Sequence, residues 1–273
     1  MNWLGRPARS LFFSALCLTA GAACAGRACE EKPVQPEAAA NAFDGAASLS
    51  KILTESGQKV VILARRGQDL EKYGVTFSHA AFAVNDDGWQ VFHDLNVCGS
   101  AISKLYAQGL AEFLGDDLMS QEVAVVVPEP WLQDRLLQVL TTKEEQSRMH
   151  EQAYSAVAYP YDIKYQNSNG WLLETYARAA SEVKLRGRAE AQAWLKIAGY
   201  APSVIELGPL TRLGVRMFKA NVSFDDQPSE LRWANKITTS TGDSVLRLVS
   251  RGAVKQPTCA HGKFADTVCV VTP

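Results

Sequence analysis

The sequence predicts a mixed α+β protein in which an antiparallel sheet packs against helices, and three observations support that prediction. Short runs of β-branched and apolar residues are interspersed with segments of helical periodicity. The tetrapeptide Asn85-Asp86-Asp87-Gly88 separates two such runs, which is typical of a tight hairpin between antiparallel strands. The chain has 273 residues, of which 47% are hydrophobic, so it can bury a sizeable core.

The first 25 residues predict a secretory signal peptide that is cleaved after Ala25. Arg6 and Arg9 give a basic start, residues 11–22 are almost wholly apolar or small, and Ala23-Cys24-Ala25 offers small residues at a cleavage site. The apolar stretch is short for a bilayer span, and no later stretch predicts a transmembrane segment. We therefore expect a periplasmic or secreted protein, with lipoprotein processing at Cys24 as the alternative.

The beginning of the mature chain predicts a loose segment followed by a helix and a buried strand. Residues 26–41 contain two prolines and an alanine run, which favours a flexible segment. Residues 42–56 predict a helix that ends at Gly57, and the branched apolar residues 59–64 predict a buried strand. The hairpin turn then joins two further predicted strands, residues 75–84 and 89–95. Residues 102–113 predict a helix.

The second half of the chain predicts further helices and strands. Residues 122–127 predict a strand, and Pro128 and Pro130 introduce a helix because proline is tolerated in the first turn. The remaining helices are expected at residues 131–140, 143–150, 170–182, 189–198 and 244–250, and a strand at 215–224. These elements predict a core domain at residues 42–185 and a C-terminal α/β extension, residues 186–273, packed on it.

Charge and composition exclude several classes of protein. The formal charge is −1; loss of the two arginines of the first 25 residues leaves 26 basic (28 minus 2) against 29 acidic residues, a charge of −3. That balance gives no electrostatic footprint for nucleic acid. The ordinary hydrophobic fraction, with 21% charged residues, excludes collagen, a coiled coil and a polytopic membrane protein.

Four cysteines remain after the predicted cleavage, and they predict disulfides because an exported protein meets an oxidising compartment. Cys259 and Cys269 flank a short turn-like segment and are expected to pair, which leaves Cys29 to pair with Cys98. The sequence contains no CxxC or HxxxH spacing, so no zinc site is expected. It contains no phosphate-binding glycine loop and no dinucleotide fingerprint either, so no cofactor is expected.

His79 is a candidate catalytic base within a strand that otherwise favours burial. The returning strand carries His93 and Asp94, and Asn96 follows them. His79 is expected opposite His93 if the turn has three residues and opposite Asp94 if it has two; a neighbouring polar group would then fix the tautomer of the imidazole. The alternatives are a core histidine satisfied by the backbone, and polar residues that cap a strand end.

Ser168 is the best candidate nucleophile. It lies in Tyr165-Gln166-Asn167-Ser168-Asn169, directly before a predicted helix whose N-terminus would favour developing negative charge. Tyr165, Asn167 and Asn169 are the accompanying candidate binding residues. The competing interpretation is helix capping, which explains Ser and Asn at these positions without any chemistry.

The order of these motifs resembles the circularly permuted NlpC/P60 hydrolases, a papain-like group. A strand histidine in Ser78-His79-Ala80, a later Tyr161-Asp162 pair and Asn167-Ser168 opening a helix carry that resemblance, over roughly residues 59–180. The resemblance implies a papain-like fold in which Ser168 stands where the group keeps its catalytic Cys. It further implies that His79 is the base, steadied by His93, Asp94 or Asn96.

Most of the mature chain also resembles a bacterial exported family known as domain of unknown function 2145. The resemblance is carried by residues 67–70, 73–74, 77–79, 93–99, 105–110 and 165–169. It implies that the protein is exported, and it implies no particular activity.

Two hypotheses follow for function. The first is an exported hydrolase or acyl transferase that uses Ser168 and His79 on an amide or ester in the cell envelope. The second is a catalytically silent binding or assembly module on the same fold. The expected ligand is a small molecule, peptide or envelope component.

The remaining polar and aromatic residues have simpler interpretations. His150 and His261 are expected to be solvated, and Asp225-Asp226 is expected to form a turn rather than a calcium site. The tryptophans at positions 131, 171 and 194 fall at apolar helix positions and are expected in the core.

Overall fold

The structure, a computed structural model, describes residues 36–115, 118–256 and 266–273. The helices are α1 (Pro36–Glu55), α2 (Leu110–Gly115), α3 (Pro130–Thr141), α4 (Lys143–Arg148), α5 (Ser168–Ala180), α6 (Arg188–Ile197), α7 (Pro209–Phe218), α8 (Ser229–Trp233) and α9 (Gly242–Val249). The strands are β1 (Val60–Arg65), β2 (His79–Asn85), β3 (Trp89–Asn96), β4 (Ser103–Gly109), β5 (Val123–Val126), β6 (Ser203–Glu206), β7 (Lys236–Thr239) and β8 (Val268–Val271).

Six strands form an antiparallel sheet in the order β4-β3-β2-β1-β5-β8, and β6 and β7 form a separate antiparallel pair. The hairpin between β2 and β3 turns through Asp87 and Gly88, which have φ angles of 58° and 117°. Asp and Gly tolerate this left-handed backbone, so the predicted turn is confirmed. The mixed α+β class is confirmed as well.

Helices cover both faces of the sheet, so its central strand is apolar on both sides. Val60 and Ile62 of β1 face a core that includes Trp171 of α5. Val61 and Leu63 alternate to the other face, where α1 and α2 cover them. The sheet therefore separates a face under α5, called here the α5 face, from a face under α1 and α2, called the α2 face.

The C-terminal residues complete this same core. β8 pairs with β5 as an edge strand of the main sheet, and Val245 and Leu246 of α9 join the apolar cluster on the α5 face. A smaller cluster, which includes Ile205 and Ile237, lies beneath β6 and β7. None of the helices in the described ranges is long and apolar enough to span a bilayer.

Four predictions about local structure are wrong. Residues 102–113 are not one helix: β4 comes first and α2 follows, because pairing of Ser103–Gly109 with β3 outweighs the helical pattern. The strand predicted at 215–224 is also wrong, since α7 occupies its first residues. Helix α1 begins at Pro36, inside the segment predicted to be flexible, because proline at a helix start followed by alanines favours helix. Trp131 is 52% exposed, whereas Trp171 is buried as predicted.

Candidate functional site

His79 and His93 meet on the α2 face of the sheet. The pairing of β2 with β3 runs from Asn85↔Trp89 to Phe82↔Phe92, and its continuation would put Leu95 opposite His79. The sequence therefore predicted the wrong opposite residue, although the three-residue turn does place His79 and His93 on one face. His79 Nε2 lies 3.0 Å from His93 Nδ1, a diagonal contact.

Gln108 of β4 fixes the direction of this contact. Its Oε1 lies 2.7 Å from His93 Nε2, and an amide oxygen can only accept, so His93 donates from Nε2. When His93 is neutral, its lone pair is on Nδ1, which accepts the Nε2–H of His79. The lone pair of His79 is left on Nδ1, where no hydrogen bond to another described residue is made.

The surroundings keep His79 neutral. Burial lowers its pKa well below the ordinary value, and the positive charge of Arg65 and the neighbouring His93 lower it further. Arg65 lies opposite His79 on β1, with its guanidinium 4.9 Å from the centre of the Phe113 ring. The same ring lies 6.2 Å from each imidazole. A neutral imidazole can accept a proton, but the lowered pKa makes His79 a weaker base than an ordinary histidine.

Asn167 caps α5. Its side-chain oxygen accepts from Gly170 N at 2.8 Å, which satisfies a free N–H of the first turn. Its amide nitrogen donates to Thr239 Oγ1 at 3.1 Å and to the carbonyl of Ser240 at 3.0 Å. Asn167 therefore ties the start of α5 to the end of β7.

Asn169 ties the same helix turn to β2. Its Oδ1 accepts from Ala80 N at 2.9 Å, and its Nδ2 donates to the carbonyls of Ser78 at 2.9 Å and Ser240 at 3.1 Å. The bonds to Ala80 and Ser78 lie beyond the last residues of β2 that pair with β3. The side-chain amide thus satisfies backbone groups that a neighbouring strand would otherwise have satisfied.

The Ser168 hydroxyl contacts Tyr154 and not His79. Its side-chain oxygen lies 3.4 Å from the hydroxyl of Tyr154, and the residue is only 6% exposed. His79 and Ser168 share no hydrogen bond. Burial raises the pKa of Tyr154 to about 12, so this partner is a neutral phenol at physiological pH. The described side chain that contacts the Ser168 hydroxyl is therefore not a base that could take its proton.

Asp94 faces the opposite side of the sheet from the two histidines, because adjacent strand residues alternate. It is fully buried, and its Oδ1 lies 3.3 Å from Nε2 of His150. The same nitrogen lies 3.1 Å from Ser103 Oγ. Burial raises the pKa of Asp94, and the contacts with His150 and Ser103 partly oppose that rise. His150 is therefore not the solvated residue that the sequence predicted.

A second buried polar cluster, which sequence reasoning missed, surrounds Glu174 of α5. Arg188 donates to both carboxylate oxygens, at 2.7 and 3.2 Å. Gln192 donates at 2.7 Å and Gln166 at 2.5 Å. Burial raises the pKa of Glu174 and Arg188 opposes this most strongly. The cluster joins α5 to α6, and its partners lie 8 to 18 residues from Glu174 along the chain, where no local pattern reveals them.

The other candidate residues hold loops. Asn96 donates to the carbonyls of Ser100 and Ile102 and so shapes the turn between β3 and β4. Tyr165 lies near the surface, with its hydroxyl 3.5 Å from Asp225. Asp225 also pairs with Lys164 at 2.7 Å. The part of the chain that the structure describes contains no group of three potential metal ligands.

Two recesses of the surface lie away from the Ser168 hydroxyl. A shallow groove of about 500 Å³ is lined by Glu151, Ile163 and residues 186–190. A smaller recess of about 10 Å³, which has room for about one water molecule, is lined in part by Tyr165, Asn167 and Gly170. Neither His79 nor Ser168 lines either space.

Cys98 and Cys269 are each disulfide-bonded. Cys98 follows β3 and Cys269 lies in β8, with β2, β1 and β5 between those strands. At about 4.8 Å per strand, this separation exceeds the reach of a disulfide, so the two are not bonded to each other. Their predicted partners, Cys29 and Cys259, lie outside the described residues, as does His261.

Comparisons of the chain with curated proteins and with solved structures give no match. A family described as an uncharacterized protein conserved in bacteria, domain of unknown function 2145, matches residues 52–249. That range begins within α1, ends with α9 and includes His79, Asp94, His150 and Ser168. Because the match covers most of the sequence, the chain belongs to the domain of unknown function 2145 family.

Proposed function

We propose that this protein is a catalytically silent binding or assembly module of the bacterial cell envelope. The observation that carries the proposal is the hydrogen bonding of Ser168, whose hydroxyl contacts Tyr154 rather than His79. A serine hydroxyl is a weak nucleophile and needs a base within hydrogen-bond reach during attack.

The flanking asparagines support the same proposal. Asn167 and Asn169 use their amides to cap α5 and to tie it to β2 and β7. These polar residues at the helix start therefore have structural partners, and Ser168 between them is almost fully buried. A substrate carbonyl would have to displace those contacts to reach the hydroxyl.

A hydrolase remains the second candidate because of His79. The chain from Gln108 through His93 leaves the Nδ1 lone pair of His79 without a described partner, which is the state required of a general base. The resemblance to permuted NlpC/P60 hydrolases favours this function too. It requires that ligand binding bring Ser168, or a nucleophile of the substrate, to His79.

Labelling with a fluorophosphonate probe separates the two functions. We expect no labelling of the purified mature protein, while a known serine hydrolase in the same reaction is labelled. Ser168→Ala and His79→Ala are treated alongside. Labelling of the wild type that is lost in both variants, with all three proteins folded by circular dichroism, would establish an activated serine and overturn the proposal.

Ser168→Cys provides a second test, because it introduces the residue type that papain-like enzymes use. A thiol paired with a base reacts quickly at neutral pH, whereas a buried thiol beside a neutral phenol does not. We expect a thiol-reactive chromophore to modify this variant only after denaturation. Rapid reaction of the folded variant, abolished by adding His79→Ala, would favour the hydrolase.

The envelope location rests on the predicted signal peptide. Its test is the N-terminus of the protein recovered from an expressing bacterium. We expect the mature chain to begin at Gly26 and to fractionate with the periplasm. Recovery of a chain that retains residues 1–25 in the cytoplasm would contradict this part of the proposal.

A further inference from the structure

Two short helices at one end of the β6–β7 pair carry large apolar side chains exposed to solvent. Leu210 and Leu213 of α7 are 84% and 57% exposed, and Trp233 of α8 is 88% exposed. A single exposed leucine is ordinary for a protein surface and needs no explanation. Three such side chains lie on two helices at the same end of the β6–β7 pair, and we call them together the α7–α8 surface.

The backbone brings these helices together. Glu206, the last residue of β6, pairs with Lys236, the first of β7, so the chain leaves β6 and enters β7 at the same end. Helix α7 follows β6 after two residues, and α8 ends two residues before β7. Arg212 of α7 donates to the carbonyl of Arg232 in α8 at 2.7 Å, so the side chain of one helix reaches the backbone of the other.

The same segments are positively charged, in contrast to the rest of the chain. Residues 204–219 and 229–236 contain five basic and two acidic residues, a charge of +3. Because the whole chain has a charge of −1, the other residues sum to −4. The basic residues are Arg212, Arg216, Lys219, Arg232 and Lys236, and the acidic residues are Glu206 and Glu230.

We infer that the α7–α8 surface docks onto an anionic phospholipid bilayer. Leucine and tryptophan side chains beside Lys and Arg are the composition of segments that lie in a membrane interface, where the indole ring sits at headgroup level. The local positive charge on a net acidic protein is complementary to anionic headgroups, and is not required for docking to a neutral apolar partner. This inference does not depend on whether Ser168 is catalytic.

Docking of this kind differs from membrane spanning. Helix α7 has 10 residues and α8 has 5, so each lies along the surface and inserts only its exposed side chains. Ile205 and Ile237, on the inner side of the β6–β7 pair, remain in their own buried cluster. The surface can therefore meet a bilayer without unfolding the protein.

Vesicle sedimentation with the mature protein tests the inference. We expect binding to vesicles of phosphatidylglycerol and phosphatidylcholine, weaker binding at high salt, and little binding to phosphatidylcholine alone. The combined change Leu210→Ser, Leu213→Ser and Trp233→Ser is expected to lower binding by at least about tenfold, because it removes the apolar groups that insert. These side chains are exposed, so the variant is expected to keep its circular dichroism spectrum.

Matched variants give the controls. Phe43→Ser removes a large side chain, 67% exposed, from α1 on the far side of the sheet, and should leave binding unchanged. Lys219→Glu should weaken binding, whereas Lys51→Glu on α1 should not. Quenching of tryptophan fluorescence by brominated lipid should disappear in Trp233→Phe while sedimentation persists.

Two outcomes would overturn the inference. One is failure of the wild type to bind the anionic vesicles, and the other is equal binding by the triple variant. The wild type could instead fail to bind vesicles but self-associate in sedimentation velocity, while the triple variant stays monomeric. The surface would then be a protein interface, and the lipid inference would be wrong.

Discussion

His79 and His93 share a hydrogen bond whose direction is fixed by a third side chain. The order of donation runs from His79 to His93 and from His93 to Gln108. Burial and the charge of Arg65 disfavour an imidazolium at His79. The consequence at the scale of single residues is that His79 stays neutral at the pH where an ordinary histidine would titrate.

Nuclear magnetic resonance of the ring nitrogens tests this tautomer. We expect His79 to carry its proton on Nε2 and to stay neutral near pH 6.5, where an ordinary histidine titrates, because burial lowers its pKa well below that value. Gln108→Leu should mix the tautomers of His93 while His79 stays in place. A titration of His79 centred near pH 6.5 would contradict the assignment.

Asp226 and Asp225 are adjacent carboxylates with opposite pKa shifts. Burial raises the pKa of Asp226 to about 6, although its Oδ2 accepts from Tyr159 N at 2.7 Å. The hydrogen bond from Lys164 lowers the pKa of Asp225 to about 2. The sequence predicted a simple turn here, and the two residues differ because the fold buries one carboxylate and gives the other a cationic partner.

Asp226→Asn is expected to alter the pH dependence of stability. Because the folded pKa exceeds the unfolded value of 3.8, the folded state holds the proton more tightly, and stability falls as pH rises from about 4 to about 6. Two pKa units correspond to about 3 kcal/mol, and screening at this partly covered site reduces the expected loss to about 1–2 kcal/mol. Urea unfolding at several pH values should show that the variant lacks this decline.

Asp225→Asn is the neighbouring control. Its folded pKa is lowered, so the wild type gains stability above about pH 4 and loses it as pH falls toward 2. The variant should therefore differ from wild type mainly at neutral pH and converge with it in acid. Identical pH profiles for both variants would show that neither carboxylate is shifted as described.

At the scale of elements, one side chain couples α5 to the sheet. Asn169 satisfies groups of Ser78 and Ala80 at the start of β2 and bonds to Ser240 beyond β7. Helix α5 packs against β2 and β3 through Trp171, whose ring meets Phe82 edge-on at 5.9 Å. The polar tie and the apolar contact together set where the start of α5 lies against the sheet.

Asn169→Ala is expected to destabilise the protein by roughly 3 kcal/mol, because three hydrogen bonds of about 1 kcal/mol are lost and buried backbone groups are left unsatisfied. Asn169→Asp keeps the acceptor for Ala80 N and loses the two donated hydrogen bonds. Its loss of stability should therefore differ from that of Asn169→Ala and depend on pH. Urea unfolding measures both. A change below about 0.5 kcal/mol in Asn169→Ala would show that the tie is not structural.

Strand β4 is the second feature at the scale of elements, because the sequence pattern predicted a helix at these residues. Its residues alternate between the two faces, yet they also carry leucine and tyrosine at spacings that suit a helix. Seven residues of β4 pair with β3, and this ladder outweighs a weak local preference. Gln108 reaches His93 only because this segment is a strand.

At the scale of the whole molecule, disulfides join the sheet to segments outside the described residues. The separation of Cys98 and Cys269 across the sheet excludes one of the three pairings possible for four cysteines. The pairings Cys29–Cys98 and Cys259–Cys269 remain the predicted ones. They would anchor the mature N-terminus near the β3–β4 turn and close a short loop before β8.

Peptide mapping of the unreduced mature protein tests these pairings. We expect a linked pair of peptides that contains Cys29 and Cys98, and a second linkage between Cys259 and Cys269. Reduction should raise the intact mass by about four hydrogen masses, since two bonds open. Linkage of Cys29 to Cys269 would contradict the predicted connectivity.

The sequence determined those features whose physical cause is local. The hairpin at Asp87 and Gly88 follows from backbone conformations that few residues adopt, and the buried strand β1 follows from a continuous run of branched apolar side chains. The sequence left open whether His93 or Asp94 shares a face with His79, because that depended on the length of the turn, and the three-residue turn of the structure placed His93 there. The position of α5 directly after its asparagine cap was predictable for the same local reason.

Tertiary packing decided the contacts between distant parts of the chain. Three contacts join residues that share no local sequence pattern: His150 with Asp94, Tyr154 with Ser168, and Arg188 with Glu174. Each of these partners depends on how the helices and loops pack on the sheet. The same holds for β8, which completes the sheet from the end of the described chain. Periodicity specifies which face of an element is buried, whereas the partner on that face is fixed only when the elements pack together.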